Sequence, residues 1–130
     1  MIAVNTSVKV VKKPWGREEW LHHNDRYVMK KIVLRAGQRT SLQSHRVKHE
    51  TNHIVSGKAT LEIQDEQGVF QKFSLKAGDT YTVPQHRQHR LTAIKDVVMI
   101  ETSTPEVDDV IRHQDDTGRG DGRIESEHVK

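Results

Sequence analysis

The sequence predicts a single all-β domain, and three observations support this class. The aliphatic residues occur in short clusters rich in β-branched residues: VKVV, YVMKKIVL, HIVSGKATLEI and DVVMIET. Turn-forming residues separate these clusters at roughly strand-length intervals. No window of useful length shows helical apolar periodicity. Many short strands joined by turns are typical of a sandwich or a small barrel.

The turns place the elements in order along the chain. They fall at Pro14–Gly16, Asn24–Asp25, Ala36–Gly37, Ser56–Gly57, Asp65–Gly68, Ala77–Asp79 and Lys95–Asp96. Between them the predicted strands lie near residues 8–12, 18–22, 26–34, 39–45, 52–56, 58–64, 69–75, 80–84, 88–94 and 97–103. We expect a short helical turn around 106–112 and a domain of residues 1–117, followed by a flexible tail, 118–130.

Composition excludes several classes of function. The chain has 130 residues, enough for one core, and no cysteine, which excludes thiol catalysis, disulfides and cysteine-ligated zinc. Its net charge of +3 is spread along the chain, so we expect no nucleic-acid binding; a basic pocket for an anionic small molecule is the alternative to a solvated surface. No signal-type core or long apolar run is present, which predicts a cytoplasmic protein without membrane contact.

Four side chains with nitrogen or oxygen donors suggest a metal site. The stretch Gly37–Gly57, GQRTSLQSHRVKHETNHIVSG, contains Gln43, His45 and Glu50, and His89 follows in GDTYTVPQHRQHRL. Imidazole and carboxylate donors suit Zn, Fe, Mn, Ni or Co, and an amide oxygen adds a weaker donor. Of the other histidines, His49 is the competing ligand, because it adjoins Glu50.

Strand alternation gives these donors a common direction. Arg39, Ser41, Gln43 and His45 fall on one face of the predicted strand 39–45. A buried polar row without partners costs several kcal/mol, and a metal ion supplies such a partner. A bound cation could polarise a substrate carbonyl or hydroxyl.

These donors and their glycines resemble the two motifs of the cupin superfamily. The first motif appears as Gly37, Gln43, His45, Glu50 and Gly57, with Gln43 in the first histidine position. The second appears as Gly78, Pro84 and His89, and departs from the pattern at His86 and Ala93. The resemblance implies a double-stranded β-helix, the cupin jelly-roll barrel.

The glutamine in the first ligand position narrows the resemblance to one family within the cupin superfamily. It is similar to the type II mannose-6-phosphate isomerase cupin, which occurs alone or as the C-terminal part of bifunctional isomerase/guanylyltransferases. KPWGREEWL, SLQSH, IVSGKA, VPQHRQHRL and DDVIRHQDDTGR carry the likeness over roughly residues 8–120. The chain departs from the family at Thr51-Asn52, where His-Trp is usual, and lacks a nucleotidyl-binding start, so no guanylyltransferase activity is expected.

The resemblance implies a metal-dependent aldose–ketose isomerase that interconverts mannose 6-phosphate and fructose 6-phosphate. It implies one divalent ion, zinc before Mn, Fe, Co or Ni, held by Gln43, His45, Glu50 and His89. It also implies a sugar-phosphate ligand and, by analogy with other cupin barrels, a homodimer to which the strand near 8–12 contributes. A non-catalytic sugar-binding or regulatory cupin is the alternative, and an iron-dependent dioxygenase is a further one.

The remaining roles combine strand parity with the resemblance. Arg39 is the predicted phosphate ligand, together with Ser41, because both share the ligand face. Arg112, in the family-like DDVIRHQDD, is the predicted catalytic residue. Candidates for the proton carrier are His53, Lys30, Lys31 and a metal-bound water. Trp15 and Trp20 are expected to pack in the core or at a dimer contact.

Overall fold

A computed structural model describes residues 4–128 and confirms the all-β prediction. Two antiparallel sheets form a jelly-roll barrel, ordered β1-β2-β3-β10-β5-β8 and β11-β4-β9-β6-β7. The strands are β1 Lys9–Lys13, β2 Gly16–His23, β3 Val28–Leu34, β4 Leu42–Ser44, β5 Glu50–Ser56, β6 Lys58–Gln64, β7 Phe70–Lys76, β8 Thr80–Val83, β9 His89–Ala93, β10 Val97–Ser103 and β11 Ile111–Gln114. A short 3-10 helix spans Glu125–Glu127.

The strands follow the period-two alternation of their side chains. In β3, Val28, Lys30, Ile32 and Leu34 are buried, while the residues between them are more exposed. Buried apolar residues from both sheets and from the β1–β2 turn form the core: Trp15, Ile32, Leu34, Ile54, Ala59, Leu61, Leu91, Ala93, Val97 and Met99. Trp15 and Trp20 are buried, as predicted for core aromatics.

Glycine makes the tightest connection, between β5 and β6, sterically feasible. Gly57 has φ of +96°, and a Cβ there would lie 2.0 Å from the carbonyl oxygen of Asp96. Any side chain would therefore separate the β5–β6 hairpin from the start of β10. Gly57 is the last residue of the first motif. Its position in the motif is therefore explained by the tight turn, independently of the candidate metal ligands.

Two of the predicted elements differ in the structure. The predicted strand 39–45 is reduced to Leu42–Ser44, with an isolated bridge at Arg39, because the chain between them binds through separate contacts to β9. The predicted helical turn at 106–112 is wrong. A turn at 107–108 leads instead into strand β11, because its edge pairs with β4 and the sheet supplies the hydrogen bonds that a helix would have formed internally.

The C-terminal strap, residues 118–128, lies between the free edges of the two sheets. Arg119 binds Asp115 and Glu127, and His128 pairs with Val11 of β1. The strap covers most of the predicted tail, whose mobility stays a prediction, and 129–130 lie outside the described residues. The homodimer also stays a prediction, with β1 at a sheet edge. None of the helical residues in 4–128 forms a helix long and apolar enough to cross a membrane.

Candidate metal centre

The candidate site lies where the inner face of the barrel changes from apolar to polar. Across β3, β10 and β5, the row Ile32, Met99 and Ile54 is followed by Lys30, Glu101 and Asn52 in register. Glu50 then begins β5, and His89 begins β9 in the opposite sheet. The ends of strands from both sheets therefore bring polar side chains to one cavity.

His45, Glu50 and His89 meet in this cavity, as the sequence predicted for three of the four donors. His45 Nε2 lies 2.9 Å from Glu50 Oε1, and His89 Nε2 lies 3.6 Å from the same oxygen. Their candidate ligand atoms all lie within 4.8 Å of one another. All three side chains are buried. Such a cluster could hold a metal ion.

The hydrogen bonds of the two imidazoles fit a cation at this point. His45 Nδ1 lies 2.6 Å from the carbonyl oxygen of Asp109, and His89 Nδ1 lies 3.0 Å from that of Arg87. A carbonyl oxygen only accepts, so each Nδ1 carries a proton, and in the neutral form of each ring Nε2 presents a lone pair. Two lone pairs facing the carboxylate of Glu50 repel it unless a proton or a metal ion lies between them. These residues therefore fit a divalent metal.

The remaining oxygen of Glu50 is held by Asn52, whose Nδ2 donates to Oε2 at 2.9 Å. Burial by itself would raise the pKa of Glu50, but Lys48 and, where Nε2 carries a proton, the two imidazoles hold it well below the usual range. Glu50 is thus a carboxylate, the form in which it binds a metal ion. Asn52, one of the departures from the family pattern, orients this carboxylate.

Gln43 lies beside the three-residue cluster. It pairs in register with His89 and lines the cavity, and its Oε1 accepts a hydrogen bond from Ser41 Oγ at 2.8 Å. Ser41 is 2% exposed. The structure therefore brings Gln43 and Ser41 next to the site, while their roles as fourth ligand and substrate ligand stay predictions.

The two predicted functional arginines lie in different surroundings. Arg39 is exposed and binds both carboxylate oxygens of Asp116, at 2.7 and 2.8 Å, and it does not line the cavity. Arg112 does line it, and donates from Nη1 to the carbonyls of Gly120 and Gly122. Burial and nearby Arg119 lower the pKa of Arg112. The structure thus places Arg112 in the cavity that contains His45, Glu50 and His89, whereas Arg39 lies outside this cavity.

Among the proposed proton carriers, Lys30 alone lines the cavity with the cluster. His53 is exposed and binds Thr80, and Lys31 alternates to the outer face. His49 is exposed as well, which leaves His45 and His89 as the cavity's imidazole donors near Glu50.

Sequence reasoning missed a buried ionic row beside the cluster. Lys30 binds Glu18 at 3.0 Å, and Lys48 binds Glu101 at 3.2 Å. Burial and the neighbouring Glu50 raise the pKa of Glu101 to about 7. Burial opposes the charge of Lys48, but Glu101 and Glu50 prevail and raise its pKa. The alternation of DVVMIET places Glu101 inward with Val97 and Met99, which is the signal that could have identified it.

Known proteins with related sequences and structures agree with this fold. Residues 3–115 match the family model described as mannose-6-phosphate isomerase C-terminal. Mannose-1-phosphate guanylyltransferase ManC of Salmonella typhimurium is 29% identical over 112 residues, which are 84% of this chain and 23% of that protein. The chain thus spans about a quarter of the length of this curated relative.

Solved structures show the same architecture at lower identity. The capsular polysaccharide assembling protein CapF of Staphylococcus aureus superposes with a TM-score of 0.72 at 15% identity, over 84% of this chain and 35% of that one. An RmlC-like cupin from Shewanella frigidimarina gives 0.65 at 20% identity, over 80% and 89%. The fold is that of a cupin, and the chain belongs to the mannose-6-phosphate isomerase C-terminal family.

Proposed function

We propose that this chain is a metal-dependent aldose–ketose isomerase that interconverts mannose 6-phosphate and fructose 6-phosphate. The observation that carries the proposal is the buried cluster of His45, Glu50 and His89, which shares one cavity with Lys30, Lys48 and Glu101. Family membership supports a sugar-related reaction. A divalent ion bound by the cluster would polarise the hydroxyl or carbonyl oxygens at C1 and C2 of the sugar.

The isomerisation moves one proton between C1 and C2 and another between their oxygens, through an enediol. Glu101 is suited to carry a proton, because burial raises the pKa of its carboxyl group and brings it closer to neutral pH, where the group can both accept and donate. It replaces Lys31 and His53 among the candidates, since its side chain lines the cavity.

The two buried lysines have a complementary task. Lys48 has a raised pKa and stays protonated, so it can stabilise negative charge that develops on the enediol oxygens. Lys30 is held between Glu18 at 3.0 Å and Glu101 at 3.9 Å. Lys30 therefore keeps Glu101 in position and limits the rise of its pKa.

A coupled assay with metal analysis tests this function. We expect protein purified without added metal to retain zinc and to convert mannose 6-phosphate, with turnover lost in the presence of a chelator. A panel of phosphorylated and free aldoses identifies the preferred sugar. Iron with oxygen consumption would favour the dioxygenase, and sugar binding without turnover would favour the non-catalytic cupin.

Variants test the ligand assignment separately from activity. His45→Ala is expected to weaken metal retention by about a hundredfold or more, since it removes one of three buried donors. His49→Ala, an exposed histidine four positions away, is the matched control and should retain the metal. Stoichiometric metal in both His45→Ala and His89→Ala would contradict the assignment.

A further inference from the structure

The C-terminal strap forms one wall of the cavity. β1 and β11 are the edge strands of the two sheets on the same side of the barrel, and residues 118–128 run from one to the other. The amide of Gly122 donates to the carbonyl of Val110 at 2.9 Å, before the strap reaches β1. Five strap residues line the cavity together with His45, Glu50 and His89: Arg119, Gly122, Arg123, Ile124 and His128.

Arg112 belongs to a row of inner-face side chains that runs from the strap to the metal cluster. Gln43 of β4 is in register with Arg112 of β11 on one side and with His89 of β9 on the other. Neighbouring strands are about 4.8 Å apart, so the backbone of Arg112 lies about 10 Å from that of His89. This separation suits a ligand that has its carbonyl end at the metal cluster and an anionic group several bonds away.

The guanidinium of Arg112 has donors left for such an anion. Its Nη1 is held by the strap carbonyls of Gly120 and Gly122, at 2.5 and 2.9 Å, whereas its buried Nε has no hydrogen-bond partner among residues 4–128. Within the same range, no carboxylate lies within 4.0 Å of this guanidinium. The strap therefore holds Nη1 of the guanidinium, and the buried Nε is left without a hydrogen-bond partner.

The neighbouring arginines are already neutralised. Arg119 binds Asp115 and Glu127, and Arg39 binds both oxygens of Asp116 outside the cavity. Arg123 binds Glu125 at 2.6 Å. A further anion would have to displace a carboxylate from Arg39 or Arg119 and would share Arg123 with Glu125, but at Arg112 it would displace none.

We propose that Arg112, held by the strap, is the anchor for the phosphate of the substrate. The inference rests on the proposed function for the identity of the substrate, and it assigns the phosphate to Arg112 in place of Arg39. A guanidinium presents two parallel N–H donors along its Nε edge, which matches two oxygens of a phosphate.

Calorimetric binding of inorganic phosphate, mannose 6-phosphate and mannose to the metal-loaded protein tests the proposal. We expect Arg112→Gln to weaken the binding of inorganic phosphate and mannose 6-phosphate by about tenfold or more, with mannose unaffected. Arg39→Gln removes an exposed arginine by the same substitution, and is expected to change each affinity by less than about twofold. Arg112→Lys should be intermediate, because it keeps the charge without the paired donors.

The outcomes separate this inference from the proposed isomerase. Phosphate binding that depends on Arg112 in a protein without isomerase turnover supports the anchor and contradicts the isomerase. Unchanged phosphate binding in Arg112→Gln, an equal loss in Arg39→Gln, or no phosphate binding by the wild type would each overturn the anchor. Thermal unfolding checks that the variants fold; if Arg112→Gln does not fold, Arg112→Lys decides by the same criteria.

Discussion

The two halves of the barrel interior are built on the same strands, yet one is apolar and the other ionic. In β10, Val97 and Met99 face the core, and Glu101, two residues further on, faces the metal cluster. β5 changes in the same way from Ile54 to Asn52. Two residues along a strand cover about 7 Å, so the change occurs within a single side-chain layer.

This difference separates the residues that stabilise the fold from those that equip the cavity. Burying the apolar half is favourable by about 25 cal/mol per Å² of apolar surface. Burying Lys30, Lys48, Glu50 and Glu101 carries a desolvation cost that their mutual attraction offsets only in part. An ionic row of this kind is weak evidence for stability, and its position beside His45, Glu50 and His89 supports the proposed function.

The largest expected effect on stability comes from a substitution that opens a cavity in the apolar half of the barrel interior. Leu34 is fully buried, and Leu34→Ala should leave a cavity that lowers the free energy of unfolding by about 2–5 kcal/mol. Urea denaturation measures this loss of stability. The metal content of the folded protein should stay the same. Val55→Ala, at a half-exposed position on β5, is the control and should cost about 0.5 kcal/mol or less. Metal loss in folded Leu34→Ala would show that the two halves are not separable.

A smaller effect is expected from a substitution that loosens the ionic half of the barrel interior without replacing a candidate metal ligand. The carboxylate of Asp109 accepts hydrogen bonds from the backbone amides of residues 46–48, and its carbonyl accepts from His45. Asp109→Ala should therefore free the loop between His45 and Glu50 and weaken zinc binding by about tenfold, measured by competition with a chelating dye.

Two further variants decide whether Asp109 acts by positioning His45. Asp109→Asn keeps an acceptor oxygen and should restore part of the zinc affinity. Asp108→Ala changes the neighbouring, exposed aspartate, and should leave the affinity within about twofold of wild type. Equal losses of zinc affinity in Asp108→Ala and Asp109→Ala would mean that the carboxylate of Asp109 has no specific part in positioning His45.

The smallest expected effect concerns the strap that walls the ionic half. Burial opposes the ionisation of Asp115, but hydrogen bonds from Arg119 prevail and lower its pKa from 3.8 to about 2. A depressed pKa in the folded state contributes stability above the unfolded value, and this contribution is lost as the pH falls from 3.8 towards 2. The free energy of unfolding of wild type should therefore fall more steeply in this window than that of Asp115→Asn. Parallel curves for the two proteins would contradict the pairing.

Much of the fold and most of the metal cluster could be predicted from local sequence. The sequence displays every pattern that repeats within a few residues. These patterns are the alternation of apolar and polar side chains, the turn residues, and the spacing of Gly37, His45, Glu50 and Gly57. Strand β11 escaped prediction because its pairing with β4 joins residues far apart in the chain. An edge strand of four residues has no strong pattern of its own.

Sequence by itself determined the all-β class and the cupin motifs, and it singled out His45, Glu50 and His89, which the structure brings together. Tertiary structure decided which charges remain available, because ion pairing depends on neighbours from other elements. Arg39 and Arg112 are both arginines within family-like segments, yet Asp116 neutralises the first and strap carbonyls hold the second. It also decided that Glu101 is buried beside Glu50, because β10 pairs with β5. Burial and the neighbouring carboxylate together raise the pKa of Glu101 to about 7.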